Sequence, residues 1–122
     1  MELFEKLKNK ISRDPNIRFA LVFGSRAAGT HRKNSDLDVA LYFESPPEGL
    51  GLLEMVHEYS EHMGVETDIV ILNRASAFLR HHALKHGVRL WIADPDLFRA
   101  FREKTMIDYD MYLRVSGMGQ YD

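Results

Sequence analysis

Asp36 and Asp38 stand two residues apart at the head of an apolar run, Leu37 to Phe43 (LDVALYF). Alternation along a strand puts both carboxylates on one face, about 6.6 Å apart along the backbone, and sends Leu37, Val39, Leu41 and Phe43 to the other. Two like charges on a sheet surface repel, so the pair is costly unless a cation lies with it. Mg2+ is the natural partner, a hard ion that combines carboxylates with substrate phosphates. Asp68 occupies a second such run, Val65 to Leu72 (VETDIVIL). Neighbouring strands lie about 4.8 Å apart, so if the two runs adjoin, Asp68 joins the pair. Three carboxylates on a rigid sheet suit a two-metal phosphoryl-transfer site, with ions about 3.5–4 Å apart stabilising the attacking and leaving oxygens. Asp68 there holds the ion that activates an acceptor hydroxyl, or takes the hydroxyl proton directly.

Gly24 and Ser25 follow a wholly apolar run, Phe19 to Phe23 (FALVF). Glycine lets the backbone approach a phosphate closely. The Ser25 hydroxyl and nearby backbone N–H groups can bind phosphate oxygens, and Ser25 can serve as a helix cap at the same time. Arg26, Arg32 and Lys33 add positive charge near a triphosphate. Other polar residues carry plainer readings. Glu66 is a solvated charge at a strand end, and His31 a solvated loop residue. His82 and His86 (HHALKH) have the i, i+4 spacing of a zinc pair. Without cysteine or an HExxH pattern they read as a solvated helix end favoured by the helix dipole.

The elements that must position these residues are legible as alternating helices and strands. Glu2 to Ser12 is an amphipathic helix, with Leu3, Phe4, Leu7 and Ile11 at helical spacing. Phe19 to Phe23 reads as a strand covered on both faces. RAAGTHRKNS is a turn with at most a short helix. Leu52 to Met63 reads as a helix stopped by Gly64, and Ala75 to His86 as another stopped by Gly87. Val88 to Ile92 is a short strand, and Pro95 opens a last helix running to about Arg114. The fold class is α/β or α+β, a mixed central sheet of three to four strands flanked by helices, in one domain over residues 1–122. Trp91, Phe98 and Phe101 belong to the core. The last helix and its frayed tail carry Met106, Ile107, Tyr109, Met111, Tyr112, Val115, Met118 and Tyr121. Packing on the domain accounts for some of these, and a partner or dimer surface for the rest.

Composition narrows the function classes. The 122 residues are 45% hydrophobic and 28% charged, with a net charge of −2 from 16 basic and 18 acidic residues. Duplex nucleic-acid binding is disfavoured, because phosphate neutralisation asks for a basic excess. No apolar run approaches the ~18 residues of a membrane span. With no cysteine and no signal-peptide pattern at the N-terminus, the expectation is a cytoplasmic protein.

The run GSRAAGTHRKNSDLDVAL, with Gly24-Ser25 and Asp36-Leu37-Asp38, resembles the signature of the DNA polymerase β-type nucleotidyltransferase superfamily. The short length resembles its minimal branch, which includes antitoxin partners of HEPN-domain ribonuclease toxins. The likeness covers Ile17 to Trp91, and the terminal helices more loosely. It implies that Gly24 and Ser25 hold the triphosphate, with Arg26 beside them. It implies that Asp36, Asp38 and Asp68 are catalytic and bind two Mg2+ ions. The implied reaction transfers AMP from ATP to a tyrosine of a HEPN toxin, which silences the toxin in a hetero-oligomer. The base, ATP, is taken from the likeness, since no motif selects it. Two competing expectations are transfer to a small hydroxyl compound such as an aminoglycoside, and neutralisation of a partner by binding alone.

Overall fold

β1 (Ile17–Phe23) is buried on both faces because a strand lies on each side of it and helices cover it above and below. In the computed structural model, which describes residues 2–30, 32 and 35–117, four strands form one sheet in the order β3-β2-β1-β4. β2 (Leu37–Phe43) and β4 (Val88–Ile92) run antiparallel to β1, and β3 (Thr67–Ile71) runs parallel to β2. A parallel neighbour requires a crossover, and α3 (Leu50–Met63) makes it.

Alternation along the strands divides the core. Ala20, Val22, Leu37, Val39, Leu41 and Phe43 face α1 (Glu2–Ser12), through Leu7 and Ile11, and α3, through Tyr59 and Met63. Phe19, Leu21 and Ala40 face α4 (Ala77–His86), through Ala83, and α5 (Pro95–Ser116), through Phe98 and Phe101. Phe19 packs edge-on to Phe98 with ring centroids 4.9 Å apart and stacks on Tyr42 at 4.9 Å. The short helix α2 (Ser25–Ala28) sits directly after β1.

Leu37 to Phe43 and Val88 to Ile92 form strands over the expected residues. Other boundaries move for local reasons. β1 starts at Ile17, since Arg18 joins the strand and its carbonyl accepts from the Ala93 N–H at 2.9 Å. β3 is shorter than its apolar run because Leu72–Arg74 tighten into a 3-10 turn. α4 begins at Ala77 rather than Ala75, because the Ser76 hydroxyl caps it by accepting from the Leu79 N–H at 3.1 Å. Met106, Ile107, Met111 and Val115 lie exposed along α5, while Met118 and Tyr121 fall outside the described residues. Among the described residues no helix is long and apolar enough to cross a membrane.

Two polar devices set the register that matters below. The Ser60 hydroxyl on α3 accepts from the Thr67 N–H at 2.9 Å, and the Leu37 N–H donates to the Glu66 carbonyl at 2.8 Å. Together they fix the start of β3 against the start of β2. At the far end the Asn73 side chain acts as a surrogate peptide. It accepts from the Phe43 N–H at 2.9 Å and donates to the Phe43 carbonyl at 2.8 Å. Asn73→Ala removes both bonds and leaves Phe43 backbone groups without a partner. It should lower the unfolding free energy by about 1–3 kcal/mol, read as a lower urea midpoint at unchanged slope.

Candidate active site

β2 and β3 pair in parallel with Asp38 directly opposite Asp68, flanked by Leu37 opposite Thr67 and Val39 opposite Ile69. Side chains at paired positions point to the same face, so the two carboxylates lie side by side. That face also carries Ala40 and Val70, which pack toward α4 and α5. Asp38 is half-buried and Asp68 exposed. Asp36, also exposed, precedes the strand by one residue. Burial raises the Asp38 pKa above its ordinary value, and the charges of Asp68 and Asp36 raise it further. Among the described residues none of the three carboxylates accepts a hydrogen bond or joins an ion pair. The result is crowded negative charge with no described protein cation to offset it.

Among the described residues no three carboxylates or imidazoles close on one point as a ready-made metal cage would. This chemistry suits Mg2+, which is held by one or two carboxylates together with substrate phosphates and water rather than by an all-protein cage.

Gly24 lies beside this cluster, since Phe23 is the cross-strand partner of Asp38. Its backbone, at φ 77° and ψ −159°, is in a region only glycine adopts easily. A Cβ there would overlap the Asp38 carboxylate. Gly24 therefore makes room for the carboxylate as well as exposing backbone. It also occupies the cap position of α2, so Ser25 is the first helical residue and not the cap. Among the described residues the Ser25 hydroxyl has no hydrogen-bond partner.

Arg26, expected beside a triphosphate, is the second residue of α2. Its side chain is turned inward, 8% exposed, and Nε and Nη2 donate to the Ser35 carbonyl at 3.2 and 2.8 Å. The planar guanidinium clasps the loop that delivers Asp36. The same loop is tightened by the Ser35 hydroxyl, which accepts from the Arg32 N–H at 2.7 Å. Arg32 is exposed, and His31 and Lys33 lie outside the described residues. Glu66 is exposed just before β3, as expected of a solvated charge. His82 and His86, expected as a solvated helix end, are both exposed, and His82 also comes against Phe23 with ring centroids 6.4 Å apart because Gly87 and the strand after it return the chain to β1.

Comparison with known proteins points the same way. The family model described as polymerase beta, nucleotidyltransferase matches residues 5–113. The protein adenylyltransferase MntA of Shewanella oneidensis is 28% identical over 102 residues, covering 82% of this chain and 73% of the relative. A chain from the crystal structure of a toxin–antitoxin with AMP-PNP superposes with a TM-score of 0.79. It is 25% identical, over 97% of this chain and 93% of that one. A chain of the complex between tri-AMPylated Shewanella oneidensis HEPN toxin and MNT antitoxin has the same fold, with a TM-score of 0.72. It is 21% identical, over 97% of this chain and 93% of the other.

Two outcomes follow from this geometry. Gly24→Ala should cost about 1–3 kcal/mol of stability from backbone strain and also displace the Asp38 carboxylate. Gly29→Ala, with open space around its Cβ, should cost about 1 kcal/mol and leave the carboxylates in place. Urea unfolding of both variants checks this. The second outcome concerns Asp38, whose carboxyl titrates near 3.8 when unfolded and higher when folded. Above the unfolded value its ionisation subtracts from stability, and the loss becomes complete once pH exceeds the folded value. Asp38→Asn should therefore raise the unfolding midpoint of metal-free protein at pH 7. The gain should vanish below about pH 3, where both states are protonated.

Proposed function

The chain belongs to the polymerase beta nucleotidyltransferase family, and from that premise we propose that it transfers AMP from ATP to a tyrosine hydroxyl of a HEPN-type ribonuclease toxin, acting as the antitoxin. The observation that carries the reading is the register of Asp38 against Asp68, with Asp36 and the Gly24-Ser25 turn alongside. The choice of AMP as the transferred group is supported by the MntA adenylyltransferase relative, and the choice of ATP and a toxin by the AMP-PNP toxin–antitoxin neighbour. The exposed stripe of Met106, Ile107, Met111 and Val115 on α5 offers apolar surface for a protein partner, in keeping with a hetero-oligomer. A cytoplasmic setting is part of the proposal, supported by the use of ATP as donor and the absence of cysteine.

Asp36, Asp38 and Asp68 are the residues to hold two Mg2+ ions. When bound, the ions neutralise the triphosphate and ease ionisation of the acceptor hydroxyl. The uncompensated charge around Asp38 is the feature of this chain that suits them. Ser25 and the backbone after Gly24 bind triphosphate oxygens. Arg26 acts at one remove, by pinning the loop that carries Asp36. Asp68, the outermost carboxylate in strand order, accepts the hydroxyl proton as the tyrosine oxygen bonds to the α-phosphorus. The bond from that phosphorus to the α–β bridging oxygen breaks, and pyrophosphate leaves with the electron pair.

The test mixes the protein with ATP labelled at the α-phosphate, Mg2+ and the product of the neighbouring gene. Label should appear on a tyrosine of the partner. Asp36→Ala/Asp38→Ala should slow labelling on the order of a thousandfold, the equivalent of several kcal/mol of transition-state stabilisation. Toxin neutralisation that survives the double substitution would replace catalysis with binding alone. Labelling of a small hydroxyl compound and not the protein would replace the acceptor.

A further inference from the structure

α4 ends directly over the last residues of β1. Gly87 passes so close that a Cβ on it would lie 3.2 Å from the Val22 carbonyl oxygen, and Val88 then pairs with Val22. This anchoring sets His82 edge-on to Phe23, with ring centroids 6.4 Å apart, and His86 next to His82 at 4.8 Å. Phe23 is the cross-strand partner of Asp38 and immediately precedes Gly24 and Ser25. His82 thus lies against the residue that leads into the turn, with His86 beside it, while Asp38 and Asp68 stand on β2 and β3.

The charge on this helix is one-sided. Arg80, His81, His82, Lys85 and His86 are basic, and no acidic residue interrupts them from Ala77 to His86. The helix dipole accounts for Lys85 and His86 in the last turn but not for His82 a turn earlier. Arg80 is committed to Asp108 at 3.0 Å. His81 stacks on Tyr109 with ring centroids 3.7 Å apart. Its pKa is lowered first by burial and then by Lys85, His86 and His82, which marks how densely positive charge collects here. His82 and His86 are exposed, and among the described residues neither pairs with a carboxylate. Their N–H donors remain available to an anion.

We propose that His82 and His86 bind the β- and γ-phosphates of the nucleoside triphosphate and hold the pyrophosphate as it departs. This rests on the nucleotidyl-transfer reading above. A triphosphate whose α-phosphate lies at the carboxylates and whose tail crosses Gly24-Ser25 ends at these imidazoles. They donate hydrogen bonds to oxygens of the leaving group as the bond between the α-phosphorus and the bridging oxygen breaks. No proton is transferred from them, and the acceptor proton still goes to Asp68.

Calorimetry on the full chain with Mg2+ tests the assignment, using α,β-methylene ATP and, separately, AMP. His82→Gln and His86→Gln should each weaken the ATP analogue about tenfold, the size of one charge-assisted hydrogen bond, and leave AMP binding unchanged. His82→Lys should restore the analogue to within about threefold of the parent, because it returns a hydrogen-bond donor for the phosphate oxygens. Pyrophosphate should compete with the analogue in the parent and only weakly in His82→Gln/His86→Gln. An affinity kept by His82→Phe and lost by His82→Lys would assign the ring to base stacking and overturn the proposal. Equal weakening of AMP and analogue would overturn it too, as would a double variant that binds the analogue like the parent. In that last case the parent's own binding leaves the nucleotidyl-transfer reading standing. If the parent itself binds no analogue with Mg2+, that reading fails and takes the histidine assignment with it.

Discussion

Repulsion between neighbouring carboxylates is the constraint on which this molecule turns. Asp38 and Asp68 are opposite one another on parallel strands, and Asp36 adds a third charge nearby. Left to themselves, such groups would separate or take up protons. They stay together because their backbones are not free to move. β2 is held between β1 and β3, and its inward side chains Leu37, Val39 and Leu41 are fully buried. Hydrophobic packing on one face of the strand thereby fixes charge on the other. The repulsion held in the sheet is one that divalent cations would relieve.

Several small devices exist to keep that arrangement in register. Ser60 and Glu66 tie the start of β3, Arg26 ties the loop before Asp36, and Gly24 leaves the space that the Asp38 carboxylate fills. None of these touches the centre of the carboxylate cluster except Gly24. Each governs where a carboxylate can be. A site of this type depends on placement, since phosphoryl transfer asks the protein for position and charge more than for covalent chemistry.

Much of this was legible before any coordinates. Period-two alternation from Leu37 to Phe43 located a strand and assigned its faces, and the four residues it names are buried, with Ala40 buried on the opposite face as well because α4 and α5 cover it. Asp68 could be placed beside Asp38 only on the condition that their strands adjoin, which is a long-range fact that local pattern does not contain. Charge near a glycine-serine turn suggests a phosphate contact for Arg26, but its hold on the Ser35 carbonyl, nine residues along the chain, depends on how the loop folds back and is not written in local pattern. The end of α4 is solvated as its residues suggest, while its approach to Phe23 depends on β4 pairing with β1, again a non-local event. Helix starts shifted where a side chain, Ser76, outbid the backbone pattern.

Crystals grown with Mn2+ in place of Mg2+ and a non-hydrolysable ATP analogue put the central claim to its most direct test. Anomalous diffraction should place two manganese ions among the carboxylates of Asp36, Asp38 and Asp68, each also touching phosphate oxygens. Manganese bound elsewhere, or nucleotide seated away from these three side chains, would contradict the account.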